Sequence, residues 1–173
     1  MEEPKIIIKT SITEEDYRKF LYIATFKRSK FIIPFMIIIS LIGGLAISFN
    51  NGQINLFILI ISWVSLFALS FIVIIFKVER KNKQRIKTDK TGTFDSINTL
   101  SFFEDKVVME NESIQSTGQL NYDQFYALLE SKDYFFFYIN VNQASLIRKV
   151  DIPDLNEFKK FIIGKFEGRY KKI

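Results

Sequence analysis

The stretch that decides the fold reads FIIPFMIIISLIGGLAISF from Phe31 to Phe49, breaks at Asn50-Asn51-Gly52-Gln53, and resumes as INLFILIISWVSLFALSFIVIIF from Ile54 to Phe76. Neither apolar run contains Asp, Glu, Lys or Arg. At the α-helical rise the nineteen residues of the first run extend about 28 Å, close to the hydrocarbon thickness of a bilayer. The second run has twenty-three residues, enough to span with some tilt. The polar break is rich in turn formers and too short for anything except a tight reversal, so two antiparallel spans are expected, 31–49 and 54–76. A pair of buried helices in a soluble protein would need an apolar shell that the remainder of a 173-residue chain does not supply. A cleaved signal peptide fits poorly, because the first run begins thirty residues in and follows the acidic start Glu2-Glu3.

Working outward, Lys27, Arg28 and Lys30 precede the first run, Lys77, Arg80, Lys81 and Lys83 follow the second, and the turn between them has no Lys or Arg. The positive-inside rule therefore predicts a multi-pass protein of the plasma membrane with both termini cytoplasmic. Those seven basic residues are expected at the membrane interface, where each cation near anionic lipid headgroups contributes roughly 1 kcal/mol. Ser40, Gly44 and Ser48 share one face of the first run, with Ser62 and Ser65 as a facing strip. The spacing predicts close packing within the pair rather than a dimer interface. With no ionisable residue inside either run, an ion or proton pathway is not expected and the pair reads as an anchor.

Charge and composition narrow the chemistry. Residues 77–90 hold seven Lys or Arg against Glu79 and Asp89, whereas residues 91–173 hold ten against twelve acids. The net charge of +5 is thus concentrated beside the apolar runs, and the downstream part lacks the basic face that nucleic-acid binding needs. There is no Cys and no His, which removes disulfides, thiolate metal sites, thiol nucleophiles and the commonest general base. Asp89-Lys90-Thr91-Gly92-Thr93 matches the phosphorylated-aspartate string of P-type ATPases, but a basic linker precedes it instead of an apolar strand, and a linker turn is expected. Glu104, Asp105, Glu110 and Glu112 form the one acidic cluster suited to a hard cation, and they read as solvated hairpin tips. No catalytic residue, metal or cofactor is expected.

The flanking segments predict elements of their own. Lys5 to Thr10, with Ile6-Ile7-Ile8, reads as a strand, and Thr13 opens an amphipathic helix carrying Tyr17, Phe20, Leu21 and Ala24 on one side. After the second run helix continues to about Lys87. Six strands then follow, at 97–103, 106–111, 114–120, 124–130, 134–141 and 144–150, and Pro153 opens a last helix with Leu155, Phe158, Ile162 and Phe166 on one side. Six strands and a stray N-terminal one invite a closed sheet in which Ile6 to Lys9 crosses back to pair downstream. The run Tyr134-Phe135-Phe136-Phe137-Tyr138 implies a strand covered on both faces, or covered on one and near membrane or partner on the other.

This order of parts, with Leu100-Ser101-Phe102, Tyr122-Asp123-Gln124-Phe125 and Leu146-Ile147-Arg148-Lys149, resembles the YcxB-like bacterial membrane proteins. The family's late strand tends to end Ile-Pro-Lys, and here Arg148 replaces the proline. The resemblance implies a C-terminal domain related to pleckstrin-homology (PH)-like folds and brings no established activity with it. The expected whole is an α+β membrane protein: cytoplasmic strand and helix (1–30), transmembrane hairpin (31–76), basic linker (77–92), and an antiparallel PH-like β domain with a C-terminal helix (93–173). Its expected role is membrane-anchored, non-enzymatic binding or regulation, through a lipid headgroup, a protein partner or a second copy of itself. Arg148 and Lys149 are candidates for an anionic partner, and the strand with Phe135 and Phe137 for strand addition. The alternatives are a small enzyme acting on lipids and an immunity or stress protein acting through the hairpin.

Overall fold

A computed structural model describes residues 3–89 and 94–173. The chain divides into a helical unit, residues 14–88, and a sheet unit made from both flanks, residues 1–13 and 89–173.

The helical unit begins with α1, Glu14–Tyr22, whose first turn carries Glu14, Glu15 and Asp16, where the helix dipole favours anions. It runs on into a π-helix, Ile23–Arg28, which the periodicity did not predict. Next come α2, Ile32–Ser48, the two-residue strands β2, Phe49–Asn50, and β3, Gln53–Ile54, and the 33-residue helix α3, Leu56–Thr88. The reversal is a tight hairpin: Phe49 pairs with Ile54 and Asn50 with Gln53, while Asn51 (φ 49°) and Gly52 (φ 78°) both take left-handed backbone. That is the demand of a two-residue turn, which Asn-Gly meets at least cost.

Helices α2 and α3 pack along Met36, Ser40, Gly44 and Ser48, the buried residues of α2. The small-residue stripe is thus used within the pair. A methyl group at Gly44 would sit 3.1 Å from the backbone nitrogen of Trp63, so the glycine sets the closest approach. Ser62 is the facing residue, its hydroxyl donating to Ile58 O (2.6 Å) and lying 3.4 Å from Gly44 O; Ser65, expected beside it, is exposed instead. Helix α3 is long and apolar enough to cross a membrane, and only 6% of its most apolar stretch is buried, whereas the core helix of a soluble protein would be mostly covered. The bent pair Glu14–Arg28 and Ile32–Ser48, with 69° between its halves, meets the same criterion when taken as one span.

The basic end of α3 is where α1 docks. Arg18 bonds Glu79 (2.7 Å), the Tyr22 hydroxyl donates to the same carboxylate (2.7 Å), and the Phe26 ring lies 5.5 Å from that of Phe71, tilted by 35°. These hydrogen bonds, from Tyr22 and then Arg18, hold the Glu79 carboxyl below the usual range.

In the sheet unit, β1 (Ile6–Ser11) pairs antiparallel with β4 (Ile97–Phe102), from Ile6 opposite Phe102 to Ser11 opposite Ile97, so the N-terminal strand does cross back. Strands β5 (Lys106–Asn111) and β6 (Ser116–Asn121) complete a first sheet in the order β1-β4-β5-β6. A second holds β7 (Ala127–Glu130), β8 (Tyr134–Asn140), β9 (Gln143–Arg148) and β10 (Tyr170–Lys172) in the order β10-β7-β8-β9. The expectation of one closed sheet is corrected to two four-stranded sheets. Between them Tyr122–Gln124 forms a 3-10 turn with a capping box from Asn121 and Gln124, which ends the first ladder before the second begins. The unpredicted β10 runs parallel to β7, reached through a turn at Gly168, whose φ of 73° favours glycine.

Helix α4, Leu155–Lys165, is capped by Asp154, whose carboxylate accepts from the amides of Asn156 and Glu157. It sinks Phe158 and Ile162 between the sheets, followed by Phe166 just past its end. Phe158 meets Phe102 and Phe135 edge-on at 5.2 and 5.3 Å, and Phe166 meets Phe137 at 5.7 Å. Such pairs add about 0.5–1.5 kcal/mol each beyond the area they bury.

Candidate functional site

Alternation along the first sheet aims two rows of side chains inward. One runs Ile6, Phe102, Val107, Leu120 across β1, β4, β5 and β6; the other runs Ile8, Leu100, Met109 and ends at Gly118. The second row therefore stops short: where β6 should supply a side chain opposite Met109, it supplies a hydrogen, and an added Cβ there would meet nothing within 4 Å. From the second sheet Phe137, Ile139, Ser145 and Ile147 face this gap, and Phe125 completes the wall.

The result is a cavity of about 360 Å³ between the sheets. Helix α4 fills another part of the same inter-sheet space and leaves this part empty, since Phe102, Phe125 and Phe137 touch both its rings and the cavity. Among the lining residues only Gln119 and Ser145 carry polar side-chain atoms, and none is charged. Gly118 and Gln119 are exposed, so the cavity opens beside β6, the edge strand of its sheet. A wall of this kind has no acid, base or nucleophile with a tuned pKa; what it can offer is apolar surface to be removed from water.

A second constellation is ionic. Glu130, 2% exposed at the end of β7, accepts from Lys149 (2.5 Å) and Lys159 (2.7 Å) on one oxygen and from the Tyr170 hydroxyl (2.5 Å) on the other. Burial opposes its ionisation, but the bonds from Lys149, Lys159 and Tyr170 outweigh it and hold the carboxyl at about 2. Burial, joined by the bond to Glu130, pushes the Tyr170 hydroxyl up to about 12. Both oxygens of this carboxylate are engaged by the chain itself, from the 3-10 turn after β9, from α4 and from β10, so the cluster is a clasp and not a receptor. Sequence spacing gave no sign of Glu130, because it stands at the polar end of the strand 124–130 and its partners Lys149, Lys159 and Tyr170 are distant in sequence.

The residues put forward from sequence are placed as follows. Lys149 is committed to Glu130, to Ser131 O (2.6 Å) and to the ring of Phe135, and Arg148 forms a two-pronged bond to Asp151 (2.8 and 2.9 Å). Asp151 also accepts from Thr10, which ties β1 to the end of β9. Both cations put forward for an anionic partner thus have carboxylates within the chain. Phe135 and Phe137, put forward for strand addition, are core residues at 0% and 3% exposure, and β8 lies between β7 and β9 with both edges occupied. Tyr134 to Tyr138 are all buried, which accounts for the unbroken aromatic run.

Lys27, Lys30, Lys77, Arg80, Lys81 and Lys83 are exposed, and Arg28 is half-buried. Glu104 is bonded to Lys165, and among the described residues no three Asp or Glu gather in a way that holds a metal ion. Of the Asp89 to Thr93 string, residues 90–93 lie outside the described residues. The chain matches no protein-family profile, no curated protein and no solved structure.

Proposed function

We propose that this is a membrane-anchored, non-enzymatic binding protein, in which α2 and α3 cross the bilayer as a pair and the sheet unit stands on the cytoplasmic side with its inter-sheet cavity as the receiving site. The observation that carries this reading is the ladder between β1 and β4. Those strands lie on opposite sides of the helical unit in sequence, yet they pair over six residues. Strands in one sheet lie in one compartment, so the segment between them crosses the bilayer an even number of times. If α3 crosses, α2 crosses too. The basic residues at both outer ends of the pair favour the cytoplasm for that compartment. The order strand, helical pair, strands and closing helix supports kinship with the YcxB-like proteins and a PH-like sheet unit, and the absence of titratable groups from the cavity supports binding over catalysis.

The chain has no cysteine, so single substitutions report location cleanly. Alkaline carbonate should leave the full chain in the membrane fraction. A membrane-impermeant maleimide should label Gln53→Cys in the hairpin turn of intact cells, and Lys132→Cys in the β7–β8 turn only after permeabilisation. Labelling of both positions from the same side, or release of the chain by carbonate, would overturn the proposal.

A further inference from the structure

We infer that the inter-sheet cavity binds a single hydrocarbon chain of the fatty-acyl class, and that Gly118 keeps its mouth open; the inference rests on the anchored-binding reading above. The lining decides the ligand's chemistry. A peptide strand inserted here would bury backbone N–H and C=O groups against apolar side chains with only Gln119 and Ser145 to meet them, and each unmet group is costly. A protruding aromatic side chain is also a poor match, since an apolar cavity of about 150 Å³ already holds a benzene ring and this one measures about 360 Å³. A hydrocarbon chain has no polar groups to satisfy along its length and gains from every methylene it buries.

The mouth fits the same occupant. Gly118 takes no left-handed backbone, so nothing in its conformation calls for glycine; what the missing side chain provides is the gap opposite Met109. Exposed Gln119 beside it can hydrogen-bond a carboxylate or ester left at the surface while the chain lies inside. A source of such chains is at hand on the proposed topology, because the chain that carries the cavity is itself anchored in a bilayer by its helical pair.

The test uses the full chain in phosphatidylcholine vesicles doped with one of two photoreactive probes: palmitic acid bearing a diazirine on its chain, or phosphatidylcholine bearing the same group on one acyl chain. After irradiation and digestion, crosslinks are expected on the inner faces of β5, β6 and β8, at or beside Met109, Leu120 and Ile139. Label from the free acid identifies fatty acid as the source, and label from the phospholipid identifies a bilayer lipid. Gly118→Trp should lower this labelling about tenfold or more, because excluding two methylenes already costs that factor, whereas Gly118→Ala should keep most of it.

Crosslinks on α2 and α3 serve as the internal control. Label there with none on β5, β6 or β8 from either probe overturns the hydrocarbon site and leaves the anchor standing. Label on the cavity with none on α3 does the reverse. Cavity labelling unchanged in a folded Gly118→Trp protein, with fold judged by amide exchange in β5 and β8, also overturns the inference. If that variant fails to fold, competition by unlabelled palmitate on the unsubstituted chain decides, and labelling that does not fall overturns it.

Discussion

Glu130 draws Lys149, Lys159 and Tyr170 to one side chain of the sheet unit. Replacing it with Ala strands Lys149, whose side chain is only 12% exposed, without its partner; breaking a buried pair in this way costs about 3–5 kcal/mol. Glu130→Ala should therefore unfold the sheet unit at distinctly lower denaturant, read from loss of tyrosine and phenylalanine circular dichroism in the near ultraviolet. The native carboxyl at about 2 lies below the unfolded value of 4.5, so its contribution is fully present above that value and drains away as pH falls toward 2. Tyr170 gives the mirror image: raised from 10.0 to about 12, it contributes fully below the former and loses its share as pH climbs through the latter. Stability measured across pH should sag at both ends, and Tyr170→Phe should flatten the alkaline limb. In the helical unit, Gly43 and Gly44 are adjacent yet unequal. A Cβ at Gly43 meets the movable tip of Leu66, but one at Gly44 meets the fixed backbone of Trp63. Gly44→Val should loosen the α2–α3 pair in a denaturing-detergent titration far more than Gly43→Ala does.

Helix α4 offers the clearest test at the level of elements. Phe158 is fully buried against rings from both sheets, and Phe158→Ala should cost about 3–5 kcal/mol in the same unfolding measurement. For α1, Glu79→Ala removes the acceptor that Arg18 and Tyr22 share, and amide exchange across residues 14–28 should quicken while β8 stays protected. How far such elements can be read from sequence depends on what fixes each one. Strands β4, β5 and β8 and helix α4 fall within a residue or two of expectation, because alternation, turn residues and the proline ahead of the last helix act locally. The crossing of β1 was legible too, since a β-branched run with no neighbour of its own needs a ladder elsewhere. The split into two sheets, the parallel β10 and the π-helix after α1 were not, for each is decided by contacts distant in sequence. The aromatic run of β8 announced burial correctly, but it could not say that both strand edges were taken. Lys149 looked available for the same reason, as its carboxylate lies nineteen positions away at Glu130. The cavity left the faintest trace, a lone glycine in a polar strand, because empty volume belongs to no single segment.

For the molecule as a whole, removing residues 1–11 tests how strongly the two flanks depend on each other. Without β1, one edge of β4 is left bare, and Thr10 no longer reaches Asp151. Residues 97–173 should then become protease-sensitive, while the helical pair stays in the membrane fraction. The same ladder also sets a timetable. On a ribosome adding about 5–20 residues per second, Ile6-Ile7-Ile8 waits on the order of ten seconds for β4 to be made. On the proposed topology both membrane crossings must be finished before the wait can end. A copy that loses one crossing leaves β1 in one compartment and β4 to β10 in the other, where no chaperone can bring them together, and presents an unsheltered isoleucine run to the quality-control proteases. Completion of the water-soluble portion thereby proofreads the insertion that came before it.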